Sequence, residues 1–474
     1  MSAARLGAEE AQAPLYGVVI LTVIALLVAS SPNLFDPIVR HDDFPALLAA
    51  PDGYYIKTLE EGRWINYLWH LRGITPPAWV NFALYQILWA VFAAALAITA
   101  LGRQAHPLYV TALAIFIVVA PTALMISLWF NTLIPGMALI ALYAVLACYL
   151  SLRTMRWLLV LFVPLTLMAY TTYPLFLLAV CMMHRDTQRS FGDLFKLATG
   201  FVLCFALGLL VIYSLNWQFH DTFGVVMAEW REPSPATDLA SLIGNLPALG
   251  ETAMLFLRKS TFEFMPAAYF HGALLIAATV FVARKDFWLA AYLWVGLLMG
   301  IGLIVLQVLK TGVVVHGRAN IFVWVFYALI VGHAVVIAAQ YADLKARLLK
   351  NAMLLVALSY LVQTGVVYTI FREWQADTRL LAEEISDQSG VIYVEGDYRA
   401  IPSAEEAGIQ HLRGLYARLH YLTGRDIVVC GAPDVTCPSS AQADRLAPVD
   451  ILRFADDTMI VLGHVEVAEN EQAD

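Results

Sequence analysis

Apolar segments long enough to cross a lipid bilayer recur through residues 14–371 of this 474-residue chain. A helix needs roughly 20 mostly apolar residues to cross the hydrocarbon core. The stretch 157–183 contains Pro164, Pro174 and a polar centre, so it is interpreted as two short spans that meet in a turn. The other candidate spans are 14–31, 78–101, 108–130, 132–151, 195–215, 264–283, 287–309, 319–340 and 351–371. Together they predict an α-helical polytopic membrane protein with about eleven transmembrane helices.

Composition supports a membrane protein and argues against a nucleic-acid partner. The chain is 60% hydrophobic and 14% charged, whereas soluble proteins are about 45–50% apolar. Its formal net charge is −8, and the sequence has no basic cluster with interleaved aromatic residues of the kind that binds nucleic acid. The lipid bilayer is therefore the expected partner.

Lysine and arginine collect in alternate connections between the spans, which predicts the orientation of the chain. With a retained first helix and a cytoplasmic N-terminus, these basic connections face the cytoplasm. The outer loops 32–77 and 217–260, and the C-terminus, then face the periplasm of a bacterial cell, and the spans cross its inner membrane. The basic residues are Arg103; Arg153 and Arg156; Arg185, Arg189 and Lys196; Arg284 and Lys285; and Lys345, Arg347 and Lys350.

The composition changes after residue 371, which divides the chain into a transmembrane domain, 1–371, and a small soluble domain, 372–474. Strand-like runs at 390–394, 426–429 and 458–462 alternate with helix-like stretches at 373–386 and 405–422, which predicts an α/β fold. Cys430 and Cys437 lie in a Gly/Pro turn and are expected to form a disulfide on the oxidising, periplasmic side. The favoured role of this domain is a structural or acceptor-facing cap.

The first outer loop contains an acidic pair, Asp42 and Asp43, about ten residues after the first span. Carboxylates close to hydrocarbon cost free energy unless they are paired, solvated or bound to a cation, so they often mark function. The alternative is that both cap a short helix over 44–50.

The rest of this loop combines aromatic and acidic residues. Sugar rings stack on aromatic side chains, and their hydroxyl groups hydrogen-bond to carboxylates, so this composition suits a carbohydrate. The alternative for the aromatic residues is the belt that lines membrane interfaces. The candidate substrate-binding residues are Tyr54, Tyr55, Glu60, Glu61 and Trp64.

A late outer loop, 310–320, carries Lys310, His316 and Arg318 beside two glycines. A guanidinium group binds phosphate oxygens in a bidentate manner, and glycine lets backbone amides come close. The alternative is that Lys310 and Arg318 extend from helix ends towards lipid headgroups. Between these loops, the amphipathic segment 238–256 is expected to lie on the membrane surface or to fold down as a lid.

The sequence HDDF after the first span, followed by GYYIKTLEEGRW before the second, resembles the polytopic O-antigen glucosyltransferases of the serotype-converting type. In that family an Asp-Asp pair opens the first periplasmic loop, as Asp42 and Asp43 do here, and a Gly-Arg-aromatic or Gly-Arg-Pro element closes it, as Gly62, Arg63 and Trp64 do. The resemblance covers about the first 180 residues. The chain departs from the family at 173–174, where it has Tyr-Pro instead of Tyr-Gln.

The resemblance implies a GT-C fold, the class of membrane-integral glycosyltransferases. Such an enzyme would transfer a hexose, with glucose expected, from a polyprenyl-phosphate donor to a cell-surface glycan acceptor such as the O-antigen of lipopolysaccharide. Asp42 or Asp43 would act as general base or help to hold a divalent cation, Mg or Mn. Arg318, or alternatively Arg63, would bind the donor phosphate. A transporter or flippase of lipid-linked glycans is the alternative, although acidic residues do not recur across the spans as proton coupling would require.

Overall fold

The computed structural model of the protein describes residues 14–341, 344–431, 435–444 and 447–463. The first 13 residues and residues 464–474, assigned above to the cytoplasmic N-terminus and to the end of the soluble domain, lie outside the described residues. The larger helices are Leu15–Ala29, Ala78–Leu101, Pro107–Val118, Phe130–Ala147, Leu152–Leu167, Pro174–Met183, Phe191–His220, Leu246–Ser260, Pro266–Lys285, Phe287–Thr311, Ile321–Ala339, Leu344–Thr369 and Arg372–Glu384. Shorter helices are Phe44–Leu47, Ile56–Glu61, Trp64–His70, Pro121–Ile126, Leu239–Gly244, Pro402–Glu406 and Arg413–Thr423.

The described chain has eight helical stretches long and apolar enough to cross a membrane, in agreement with a polytopic membrane protein. Three shorter apolar helices, at Leu15–Ala29, Pro107–Val118 and Pro174–Met183, lie among them. Helix length and composition do not test the predicted number of about eleven spans. The eight stretches are Ala78–Leu101, Pro121–Ala147, Phe191–His220, Leu239–Ser260, Pro266–Lys285, Phe287–Thr311, Gly317–Ala339 and Ala346–Glu384.

One predicted span is interrupted. The stretch 108–130 was expected to be continuous, but its helix ends at Val118 and a new one begins at Pro121. Ala120 is extended, with φ −52° and ψ 121°, because a residue before proline disfavours the helical region and proline lacks the N–H that a continuing helix needs. A three-residue 3₁₀ turn, 127–129, then leads directly into helix Phe130–Ala147. The turn predicted within 157–183 is present between Leu167 and Pro174.

Contacts between helix ends define the two ends of the bundle. His220, the last residue of helix Phe191–His220, has its Nε2 atom 2.6 Å from Oγ1 of Thr58 in the first outer loop. We call this the loop end. Near the start of the same helix, Nη1 of Arg189 lies 3.0 Å from Oδ2 of Asp286. Asp286 connects helices Pro266–Lys285 and Phe287–Thr311. We call this the basic end.

Segment Leu239–Ser260 qualifies as a span by length and composition. However, the helix before it ends at the loop end, and the helix after it begins at the loop end. The preceding helix finishes there, and Pro266–Lys285 starts there, because its last residues lie beside Arg189 at the basic end. The segment also stays there, since Asn245 donates to the carbonyl of Leu309 at 2.9 Å. It therefore covers the loop end without crossing the bundle, and a role on the membrane surface or as a lid stays a prediction.

The C-terminal region forms the expected α/β arrangement. Its four-stranded sheet has the order β2-β1-β4-β3, with β1 at Ile392–Glu395, β2 at Ile427–Val429, β3 at Val449–Phe454 and β4 at Asp457–Leu462. Strand β1 pairs in parallel with β2 and β4, and β3 pairs antiparallel with β4. The sequence missed β3 and merged two helices over 405–422, which are separated at Gly408, φ 61°. The predicted Cys430–Cys437 disulfide is present, with the Cα atoms 5.9 Å apart.

The C-terminal region packs directly on the first outer loop. The carboxylate of Asp36 accepts hydrogen bonds from Arg418, at 3.0 and 2.7 Å, and from Arg379 at 2.6 Å. Arg40 donates to the carbonyl oxygens of Ala407, at 3.2 Å, and Gly408. Because Arg418 is almost fully buried and removing one partner of a buried ion pair is costly, the pair joins these two regions firmly.

Candidate functional site

Three connections meet at the loop end and enclose a cleft. Backbone hydrogen bonds join the second outer loop to the first, from Val226 to Leu59 at 3.3 Å, and to the late loop, from Ser234 to Thr311 at 2.8 Å. The cleft has a cavity volume of about 70 Å³, and about 540 Å³ of empty space when its solvent-open part is included. Its charged and aromatic lining residues are Asp42, Tyr54, Lys57, Glu61, Arg63, Trp129, Tyr170, Trp230, Arg231 and Arg318.

Asp42 faces this cleft. Its Oδ1 atom accepts a hydrogen bond of 2.5 Å from the indole N–H of Trp129. Trp129 is held at the 3₁₀ turn that precedes helix Phe130–Ala147, so the donor comes from the membrane bundle. The carboxylate is thus positioned by one N–H group and stays accessible from the cleft.

Asp43 has a different role from its neighbour. It is fully buried and accepts hydrogen bonds from the backbone N–H and the side-chain amide of Asn131, at 3.0 and 2.8 Å, and from the backbone N–H of Thr132, at 2.7 Å. These are N–H groups in the first turn of helix Phe130–Ala147, which have no partner within the helix. Burial raises the pKa of Asp43 to about 7, while these hydrogen bonds act in the opposite direction.

One expectation for the acidic pair is therefore wrong, namely that both residues cap the short helix after them. Asp43 makes no capping bond to the short helix that starts at Phe44, and instead caps a helix about 90 residues later in the chain. A shared Mg or Mn site stays a prediction: Asp42 lines the cleft, whereas Asp43 does not, and both oxygens of Asp43 accept N–H bonds. Within the described ranges, no group of three or more His, Cys, Asp or Glu residues could hold a metal ion.

Glu61 organises the cations of the cleft. Its carboxylate lies 2.5 Å from Nε of Arg63, 2.7 Å from Nη2 of Arg231 and 3.2 Å from Nζ of Lys57. Burial opposes its ionisation, but the charges of Arg63, Lys57 and Arg231 outweigh burial and lower the pKa of Glu61 to about 2. Glu61 therefore stays ionised and holds three cations in fixed positions.

Arg318 has no such carboxylate partner. Its guanidinium carbon lies 3.9 Å from the centroid of the Trp129 ring, whose N–H donates to Asp42. Arg40 approaches the same ring at 6.0 Å. Among the described residues, no carboxylate lies within ion-pair distance of Arg318. The cleft wall thus carries four cations but only two carboxylates, a surplus that favours an anionic ligand.

One buried polar atom of the cleft wall, Nε of Arg231, lacks a hydrogen-bond partner. Buried polar groups in native proteins are normally satisfied, so an unsatisfied N–H marks a place where a ligand or water can bind. This donor belongs to one of the four cations described above, which fits an anionic ligand.

Several predicted site residues lie outside the cleft and hold its framework together. Tyr55 donates to the carbonyl of Phe219 at 3.0 Å, and the indole of Trp64 donates to Asn216 at 2.8 Å, so both fasten helix Phe191–His220 to the first loop. Glu60 lies behind the cleft, 3.6 Å from Lys57. Of the predicted substrate-binding set, Tyr54 and Glu61 line the cleft.

The late loop contributes only Arg318 to the lining. Lys310 and His316 are exposed and lie outside it. Gly312 has φ 69°, and a Cβ atom there would lie 2.7 Å from Cβ of Ser234. Gly312 therefore allows two loops to pack closely together, and this packing accounts for the glycine without a bound phosphate.

Sequence reasoning missed Trp129, Tyr170, Arg231 and Lys57 as cleft residues. Trp129 and Tyr170 lie within apolar stretches, where an aromatic residue is indistinguishable from one that packs against lipid or a neighbouring helix. Arg231 lies in the charged sequence EWREP of the second outer loop, and its proximity to Glu61 depends on the folding of that loop. The opposite charges of Glu61 in the first outer loop and Arg231 in the second were the sequence feature that could have indicated this contact.

Compared with models of protein families and with curated proteins, the chain matches none. The functional argument therefore depends on the geometry of the cleft.

Proposed function

We propose that the protein is a membrane glycosyltransferase of the GT-C type that transfers a hexose, with glucose expected, from a polyprenyl-phosphate donor to a cell-surface glycan. One observation carries the proposal: Trp129 donates its N–H to the carboxylate of Asp42 while its ring supports the guanidinium group of Arg318. A base and an unpaired cation therefore face one cleft, at the end of a bundle of apolar helices.

The chemistry requires both groups. The acceptor hydroxyl oxygen forms the new bond to the anomeric carbon, and its proton passes to Asp42. The bond between the anomeric carbon and the donor phosphate breaks, and polyprenyl phosphate leaves with the electron pair. Arg318 stabilises the negative charge that grows on the leaving phosphate, as preorganised cations do in other group transfers. Arg63 and Arg231 add to the positive potential.

Asp42 is the better base of the acidic pair. Its one hydrogen bond from Trp129 orients it and leaves the carboxylate free to accept a proton. Asp43 is committed to Asn131 and Thr132. No step of the proposed mechanism needs a metal ion, because the arginines supply the positive charge at the leaving group.

The membrane arrangement fits a lipid-linked donor. We propose eleven crossings of the bacterial inner membrane, with the loop end and the C-terminal domain in the periplasm and the basic end in the cytoplasm. This orientation is supported by the lysines and arginines at the basic end. The polyprenyl chain would remain in the bilayer while its phosphate reaches the cleft, and the C-terminal domain would face the acceptor glycan.

The test uses protein reconstituted in vesicles with polyprenyl-phosphate hexose and an acceptor glycan, and mass spectrometry of the product. Asp42→Asn should reduce the transfer rate by about 10²- to 10⁴-fold, the usual contribution of a general base, while donor binding persists. Asp52→Asn, an exposed carboxylate of the same loop, is the matched control. Undiminished transfer by the Asp42→Asn variant would refute the role of this base. Donor that moves across the vesicle membrane without transfer in the wild type would instead support a flippase.

A further inference from the structure

A second cavity lies at the basic end of the bundle, far from the cleft. It opens between helices Leu152–Leu167 and Phe191–His220 and has a volume of about 530 Å³. We call it the basic-end groove. Its size is within the range of small-molecule sites, about 300–1,000 Å³, and the proposed transferase chemistry makes no use of it.

The groove exists because its two helices touch at one level and separate at another. At Gly208 they are in close contact, since a Cβ atom there would lie 2.9 Å from Leu167 and 3.1 Å from Cα of Pro164. Two turns earlier, at Gly200, no atom lies within 4 Å of an added Cβ. The helices are thus held together towards the loop end and leave a space at the basic end.

An ion pair closes the far side of this space. The guanidinium group of Arg156 binds the carboxylate of Asp193 through two hydrogen bonds, of 2.7 and 2.6 Å. Tyr292 also donates to this carboxylate, at 2.8 Å. A further N–H of Arg156, at Nε, is buried and has no partner. The ion pair therefore fixes the shape of the groove and leaves a buried, unused donor at Nε beside it.

Two further cations stand at the mouth of the groove. Arg153 and Lys196 are exposed lining residues, and neither forms an ion pair within the described part of the chain. Asp193 is already occupied by Arg156. The mouth thus offers two free positive charges on adjacent helices, which is complementary to an anionic group.

The interior of the groove is apolar and faces outward from the bundle. Trp157, Val160 and Leu203 line it and are 70%, 44% and 65% exposed. Their exposure on helices of a membrane protein puts them in contact with acyl chains. Free phosphate would leave this surface uncovered, whereas a phospholipid would cover it with hydrocarbon and place its phosphate at the mouth.

We propose that the basic-end groove binds one anionic phospholipid of the surrounding leaflet. Arg153 and Lys196 bind the headgroup phosphate, Nε of Arg156 donates a hydrogen bond to the headgroup, and an acyl chain lies along Trp157, Val160 and Leu203. Basic pockets between membrane helices are known to suit such headgroups. This site is separate from the cleft and does not depend on the proposed transferase activity.

The test is native mass spectrometry of the full chain exposed to equal amounts of phosphatidylglycerol and phosphatidylcholine. Two cations at the mouth should give the wild type a preference for phosphatidylglycerol on the order of 10-fold. Gly200→Leu fills the groove where space is open and should abolish tight binding of either lipid. Arg153→Gln combined with Lys196→Gln should retain one lipid but lose the preference.

The control is Gly272→Leu, which adds the same side chain at an open position of another helix. It should leave binding unchanged. Equal binding of the two lipids by the wild type, or full retention of phosphatidylglycerol by the Gly200→Leu variant, would overturn the proposal. A loss in the control as large as in the Gly200→Leu variant would also overturn it, because the effect would not belong to the groove.

Discussion

The cleft at the loop end and the groove at the basic end both present arginine and lysine, but they hold these cations differently. In the cleft, Glu61 fixes three cations within 3.2 Å, and Arg318 rests on an aromatic ring. In the groove, Asp193 pairs with Arg156, and the outer cations form no ion pair within the described part of the chain. A preorganised charge is what a transition state requires, because no reorganisation is then needed during the reaction. A mobile lipid headgroup is served equally well by flexible side chains.

Of the cations at the two sites, the unpaired cation of the cleft should have the largest effect. Arg318→Ala should lower the rate of hexose transfer by about 10²-fold or more, since a donor aimed at developing charge is lost. Arg318→Lys should recover only part of the rate because lysine lacks the planar fork. Rates are measured in vesicles under saturating donor. Lys310→Ala, on the same loop but outside the cleft, should change the rate less than about twofold, and an equal loss there would remove the distinction.

The next effect concerns the residue that fixes the cleft cations. Glu61→Gln leaves Arg63, Arg231 and Lys57 mutually repelling in a partly buried site, so the protein should lose about 3 kcal/mol of stability. Thermal unfolding in a mild detergent measures the loss. Glu60→Gln removes a neighbouring charge with a single distant partner, 3.6 Å away, and should cost less than about 1 kcal/mol. Similar losses in the two variants would show that the cations are not held by Glu61 in particular.

Acid should weaken the cleft in a way that depends on Glu61. Its pKa is lowered to about 2 in the folded protein from an ordinary 4.5. The stabilisation is therefore complete above pH 4.5 and is lost as the pH falls towards 2. Between pH 6 and 3.5 the wild type should lose about 1.4 kcal/mol through this group. The difference in stability between wild type and Glu61→Gln, followed by thermal unfolding across this range, should shrink by that amount. A constant difference would contradict the assignment.

The smallest effect is expected at the groove. Removing the exposed charges by Arg153→Gln and Lys196→Gln should change stability by less than about 1 kcal/mol, because neither is held by a partner. The transfer rate should change less than about twofold in vesicles of phosphatidylcholine. A rate loss as large as that of Arg318→Ala would mean that the two ends of the bundle are coupled, and the comparison between them would fail.

The apolar spacing predicted the helical bundle well because a bilayer demands long apolar helices whatever their partners are. The break at 119–120 was missed, although Pro121 indicated it locally. The sequence singled out Asp42, Arg63, Glu61 and Arg318, since charged residues stand out against an apolar background. It could not separate Asp42 from Asp43, because the difference lies in Trp129 and Asn131. Those two residues belong to another part of the chain, and neither carries a charge.

The ion pair between Asp36 and Arg418 has a consequence for biosynthesis. The two residues are 382 positions apart in the chain, so Asp36 emerges from the ribosome roughly 20 to 80 s before its partner does, at ordinary rates of translation. Once helix Phe130–Ala147 has been synthesised, the segment carrying Asp42 can contact that helix, but for the rest of the interval it lacks its contact with the C-terminal region. The cleft therefore reaches its final form only after translation is nearly complete, and a truncated chain would be expected to insert into the membrane without becoming active.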